Sequence, residues 1–155
     1  MEHTRSDWAR ALTALERWRV RETVAELSKH WQLHPRQVPT AGLALLQLRD
    51  GAFGEGYFLG EATLSTADLL IELADGRTAQ GAARILADDA ELAQDVAVCD
   101  AVLAGQLPGW EQIAALVDEG LAVRHKENRV RRSILARTRV EFDVMTPQEG
   151  EDGED

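Results

Sequence analysis

Leu69-Leu70-Ile71-Glu72-Leu73, closed by Asp75-Gly76 and answered by Thr78-Ala79-Gln80-Gly81-Ala82-Ala83-Arg84-Ile85, is the stretch from which the topology follows. An Asp-Gly pair between two strand-like runs signals a hairpin, because both residues tolerate the positive φ of a tight primed turn. Upstream, Tyr57-Phe58-Leu59 with Ala62-Thr63-Leu64-Ser65 reads as another strand. Gly42–Arg49, short, apolar and ending at Asp50-Gly51, reads as one more. The pattern predicts an antiparallel meander of about four strands.

Helical spacing flanks this meander on both sides. Trp8, Leu12, Leu15 and Trp18 recur with helical period, with Ser6 or Asp7 available as an N-cap. Val24, Leu27 and Trp31 follow, either as a second helix or as a continuation, and His34-Pro35 is expected to stop it. After the sheet, Leu92, Val96, Cys99 and Leu103 form one stripe, ended near Gly105 and Pro108. Ile113, Leu116, Val117 and Leu121 form the next, with Val123, Val130 and Ile134 extending or following it. Thr138–Val144 alternates polar and apolar, so a final C-terminal strand is expected, joining either the meander or a partner's sheet. The fold class is therefore α+β, an antiparallel sheet packed against N-terminal, central and C-terminal helices.

A chain of 155 residues suits one core, expected over residues 1–146. Residues 147–155 read as an acidic, disordered tail. The 27 acids against 17 Lys and Arg give a net charge of −10, a surface that repels nucleic-acid phosphates. Half of that excess sits on the five acids of Glu149–Asp155. No apolar run is long enough to span a bilayer, and the first residues lack a signal-peptide pattern. The single cysteine, Cys99, excludes an internal disulfide and a cysteine-based zinc site, and a reducing cytoplasm fits best.

Few residues suggest chemistry of their own. His30 and His34 stand four apart, but Pro35 interrupts the helix a shared metal would need, and a chance surface pair is the better reading. His3 and His125 are isolated. Gly51, Gly54, Gly56 and Gly60 lack a following helix and a lysine, and Glu55 and Glu61 would oppose an anion, so they read as a hairpin connection. Cys99 falls on an apolar stripe and reads as a packed thiol. Ser65 and Ser133 have no nucleophile setting, and the pairs Glu61/Asp68 and Asp88/Asp89 carry little information in so acidic a chain. No catalytic, cofactor or metal residue is assigned.

Two features stand out. Arg124, Lys126, Arg129, Arg131, Arg132, Arg137 and Arg139 crowd into one segment against a single acid, Glu127. Such a segment holds a phosphate-rich ligand, holds the acidic face of a partner, or serves as a solvated helix face. Trp8, Trp18, Trp31 and Trp110 are either core or interface residues.

The order of motifs resembles a known family. A Trp8-bearing helix precedes Thr40-Ala41-Gly42-Leu43, a glycine-bearing loop and Phe58-Leu59-Gly60-Glu61-Ala62-Thr63-Leu64. Leu73-Ala74-Asp75-Gly76, an Ala- and Asp-rich helix over 90–103, and Ala136-Arg137-Thr138-Arg139-Val140-Glu141-Phe142 with Met145 follow. From Trp8 to Met145 this is similar to the PhnG family, the G subunit of the bacterial phosphonate carbon–phosphorus lyase core complex. The chain departs from the family pattern at Ala87-Asp88-Asp89-Ala90, where a basic segment is usual, and at Ser65-Thr66-Ala67.

The resemblance implies an auxiliary, non-catalytic subunit in a cytoplasmic complex with H, I and J subunits and an ATPase-like L subunit. That assembly turns ATP and methylphosphonate into ribose 1-methylphosphonate 5-triphosphate with release of adenine. Nucleoside chemistry falls to the I subunit and radical iron–sulfur chemistry to the J subunit, with no cofactor on this chain. Within that frame the expected partner contacts are Arg131, Arg132, Thr138, Arg139, Val140 and Phe142, the last four by strand addition. The isolated chain is either monomeric or a homodimer. The rival expectation is a stand-alone binder or enzyme for small phosphorylated compounds, or a homo-oligomeric adaptor.

Overall fold

The computed structural model describes residues 4–137. Two helices, α1 (Arg5–Leu12) and α2 (Arg17–Leu27), precede three strands, β1 (Gln32–Arg49), β2 (Gly56–Glu72) and β3 (Thr78–Ile85), and two further helices, α3 (Ala90–Gly105) and α4 (Trp110–Arg137). The sheet is antiparallel in the order β1-β2-β3, so the class is α+β as expected. Among the described residues it has three strands and not four. The two runs read separately around 57–65 and 69–73 are one continuous strand, β2. The expected final strand at Thr138–Val144 lies outside the described residues.

The helical boundaries differ from expectation where capping chemistry intervenes. Thr4, and not Ser6 or Asp7, caps α1: its side chain accepts from the Asp7 N–H, while the Asp7 carboxylate accepts from the Thr4 N–H at 3.0 Å. This reciprocal box satisfies two otherwise orphaned donors. The chain then breaks at Thr13–Glu16, so Trp8 and Trp18 belong to different helices. Helix α2 ends at Leu27 in a 3-10 turn over Ser28–His30, well before His34-Pro35. Pro35 sits inside β1, where the register with β2 shifts between Pro35 and Gln37 and again before Thr40. An edge strand tolerates this, because a missing N–H on its open side breaks no ladder bond.

The core lies between one end of the sheet and α3. Ala67, Leu69 and Ile71 of β2 and Leu73 just after it, with Ala79, Ala83 and Ile85 of β3, turn one face inward. Helix α3 meets them with Ala93, Val96, Ala97, Cys99, Ala101 and Val102 fully buried. Small residues let the layers approach closely. A Cβ on Gly81 would overlap the Ala97 carbonyl oxygen and come within 2.5 Å of the Ala101 nitrogen. The same device joins α4 to α1, where a Cβ on Gly120 would strike the Ala11 carbonyl.

Gly81→Ala and Gly120→Ala should each destabilise the chain by about 1–3 kcal/mol through overpacking. Gly42→Ala, with nothing within 4 Å of the added carbon, should fall within about 0.5 kcal/mol of the parent. Urea unfolding of the three variants checks this.

Candidate partner-binding surface

Strand β3 pairs with β2 only from Ser65 to Glu72. Beyond that, among the described residues, Gly42–Arg49 of β1 and Gly56–Leu64 of β2 continue alone as a two-stranded ribbon. At about 3.3 Å per residue the ribbon extends for about 30 Å. It is apolar on both faces. Leu43 and Leu45 lie on the face continuous with the core side of β2. Leu46 and Leu48 lie opposite, beside Tyr57 and Ala62. Leu43, Leu45, Phe58 and Leu59 are 62–68% exposed, and Phe53 at the tip is 84% exposed.

The tip is built, which explains why Phe53 stands outward. Asp50 accepts from the N–H groups of Ala52 and Phe53 at 3.0 and 3.3 Å, and its own N–H donates to the Glu55 carbonyl at 2.8 Å. Gly54 takes the positive φ of 70° that closes the turn. The glycine-rich stretch is therefore a hairpin end, as its flanks suggested. The ribbon's register shifts between Leu46 and Gln47, opposite Gly60.

The second projection is the far half of α4. Its near half is anchored by Ile113, Leu116, Val117 and Gly120. From Arg129 to Arg137 every residue is exposed. A shallow apolar depression there is lined by Val123, Val130 and Ile134, with Lys126 and Arg131 at its margin. The basic segment consequently divides in two. Arg124 is structural, donating to the Arg10 carbonyl at 3.2 Å and pairing with Glu127 at 3.2 Å. Arg129, Arg131, Arg132 and Arg137 face outward around the apolar strip. Of the expected contact residues, Arg131 lines the depression and Arg132 lies on the same exposed stretch of helix. Thr138, Arg139, Val140 and Phe142 lie outside the described residues.

Other residues weighed from the sequence have structural places. His30 is in the 3-10 turn and His34 in β1, its Nε2 3.3 Å from Glu72, so they share no helix face. Ser65 is buried, donating to the Ala87 carbonyl at 2.7 Å and accepting from the Asp89 N–H at 2.9 Å, and Asp89 in turn caps α3. Cys99 is wholly buried, and burial pushes its thiol pKa up, away from reactivity. No group of three or more potential metal ligands occurs among the described residues. No helix among them is long and apolar enough to cross a membrane.

Two polar features were not anticipated. Asp100, on α3, accepts from the Ala82 N–H at 3.0 Å and from Arg5 Nε at 2.8 Å. Asp95, one turn before, is buried with Oδ2 lacking a hydrogen-bond partner. Burial raises its carboxyl above the ordinary range, further helped by Glu91 and Asp89 and opposed by Arg21 and Arg17.

The fold and surface define a class: a small α+β chain whose core occupies one end of its sheet and which presents two apolar projections. Residues 3–147 match the family described as "Phosphonate metabolism protein PhnG". The chain belongs to the PhnG family, and its role lies in phosphonate metabolism. No curated protein matches it.

Because Asp95 holds its proton more tightly folded than unfolded, its ionised form costs stability above the folded pKa, and the cost fades as pH falls towards the ordinary aspartate range. Asp95→Asn should raise the Tm near neutral pH by about 2–4 °C. That gain should shrink to nothing as the buffer is acidified, which thermal melts across pH would show.

Proposed function

We propose that this chain is an auxiliary subunit of the carbon–phosphorus lyase core complex, acting in the cytoplasm by holding its I-type partner in a productive geometry. The carrying observation is the ribbon. A two-stranded hairpin with apolar side chains on both faces is marginal in water, and an exposed apolar surface of this extent marks a place where another protein sits. The reaction supported is formation of ribose 1-methylphosphonate 5-triphosphate from ATP and methylphosphonate, with adenine released. Family membership supplies the phosphonate context for this reading.

The H, I and J subunits, with the L subunit joining for the reaction, are the partners proposed. The division of surfaces follows from chemistry. The ribbon offers apolar area and two edges unpaired among the described residues, suited to burial and strand pairing. The end of α4 offers an apolar strip ringed by arginines, suited to an acidic rim on the partner. No cofactor is assigned to this chain.

Leu43→Asp with Leu45→Asp should abolish co-purification with the co-expressed H, I and J subunits while leaving the chain folded, because neither residue belongs to the core. Ile134→Asp should weaken it by at least about tenfold, a loss of about 1.4 kcal/mol. Intact complexes from both variants would overturn the assignment, as would release of adenine from ATP by the isolated chain.

A further inference from the structure

The two projections carry opposite charge. From Gly42 to Leu64 the ribbon holds Arg49 against Asp50, Glu55 and Glu61. From Lys126 to Arg137, α4 holds five bases against Glu127. Strand register sets Glu61 opposite Leu45 and Phe58 opposite Gln47, so Leu43, Leu45, Phe58 and Glu61 share the ribbon's core-side face. That face is the barer one among the described residues: Leu43, Leu45 and Phe58 are 63–68% exposed, against 42% for Leu48 and 46% for Tyr57 on the other. On α4, Val123, Glu127, Val130 and Ile134 recur at helical spacing and form a seam along one side.

Two copies of the chain could meet through these surfaces in three ways. Helix against helix sets bases beside bases, and ribbon against ribbon sets acids beside acids, so both are repulsive. Helix on ribbon alone joins opposite charges. It also continues an existing arrangement, because α3 already lies over the core side of the same sheet. Size agrees. From Val123 to Arg137 the helix runs about 22 Å and is about 11 Å across, which fits within the ribbon's length of about 30 Å. Made once, such a contact buries about 500 Å² over both surfaces, the size of a packing contact; made twice about a two-fold axis it buries about 1,000 Å², what a specific interface needs. A reciprocal pair also closes, whereas a single head-to-tail contact repeats into an open chain.

We propose that, in the absence of the other subunits, this chain is a reciprocal homodimer in which the far half of α4 of each copy lies on the core-side face of the other's ribbon. The proposal rests on the subunit reading above only in taking the same two surfaces as adhesive, and it names what covers them in the free chain. Val123, Val130 and Ile134 meet Leu43, Leu45 and Phe58 of the second copy, with arginines of the helix beside the ribbon's acids. The ribbon's other face and the Phe53 tip stay open.

The test is the light-scattering mass of the full-length chain alone, expected to be that of two copies. A ribbon variant (Leu43→Asp with Leu45→Asp) and a helix variant (Val130→Asp with Ile134→Asp) should each be monomeric, since either set damages both contacts. All four side chains are more than half exposed, so both variants should fold, which circular dichroism checks. Mixing the two variants is decisive. A mixed pair keeps one contact wholly parental, so the mixture should dimerise at least about tenfold more tightly than either variant by itself. A parent chain that stays monomeric at about 100 μM overturns the proposal, as does a mass that climbs past two copies. A dimer that survives both sets of substitutions overturns it too. A mixture no tighter than its components does the same, because the contact would then join like surfaces. Co-purification judges the subunit reading separately, and a monomeric parent leaves that reading untouched.

Discussion

The Asp100 carboxylate holds three elements in one place. It sits on α3, accepts the outward N–H of Ala82 from β3, and receives the Arg5 guanidinium from α1, with Nε at 2.8 Å. A buried carboxylate is costly unless its oxygens are filled, and here they are. Because α1 in turn seats α4 at the Ala11–Gly120 crossing, the orientation of α4 relative to the sheet is inherited from this node. The direction in which the exposed end of α4 projects thus depends on an ion pair between residues 95 positions apart.

The core explains the projections. Helix α3 lies over the end of the sheet where β2 pairs with β3 and also touches β1, and the contact is so close that Gly81 cannot carry a side chain without displacing the Ala97 carbonyl. That tight, alanine-rich interface confines burial to one end of a much longer hairpin. The remainder of β1 and β2 keeps its ladder hydrogen bonds but, among the described residues, has no layer on either face. Apolar side chains there gain nothing in the isolated chain, since burial, not strand propensity, supplies most of a sheet's stability. Their presence makes sense when the second layer comes from another molecule.

Much of this was legible in the sequence, and the failures have physical causes. The Asp75-Gly76 hairpin, the Leu92–Leu103 stripe and the far helix from Ile113 onward are local signals, and the structure carries all three. The start of β1 was hidden because His34-Pro35 read as a helix stop, whereas an edge strand with shifted register accepts the proline. The continuity of β2 was hidden because Ser65-Thr66-Ala67 looks like a break. Ser65 is in fact buried, its hydroxyl filled by Ala87 and Asp89, and the alternation passes straight through it. The ribbon could have been recognised: apolar residues at both parities, in Leu43, Leu45 and Leu46, mark a strand buried on two faces. The Arg5–Asp100 pair had no local signal at all.

Charge completes the argument about orientation. Glu127 aside, the stretch from Arg124 to Arg139 is basic, while the rest of the chain is strongly acidic. Arg124 is taken up at α1, Arg129, Arg131, Arg132 and Arg137 stay exposed on the far half of α4, and the acids Glu55 and Glu61 belong to the ribbon and its tip. A molecule so polarised meets a complementary partner in one orientation more often than in others, because long-range attraction acts before contact and falls off within a Debye length. The apolar residues then decide how long the encounter lasts, since burial governs dissociation more than approach. On the proposed reading, basic helix end and apolar ribbon are complementary in function: one aligns, the other retains.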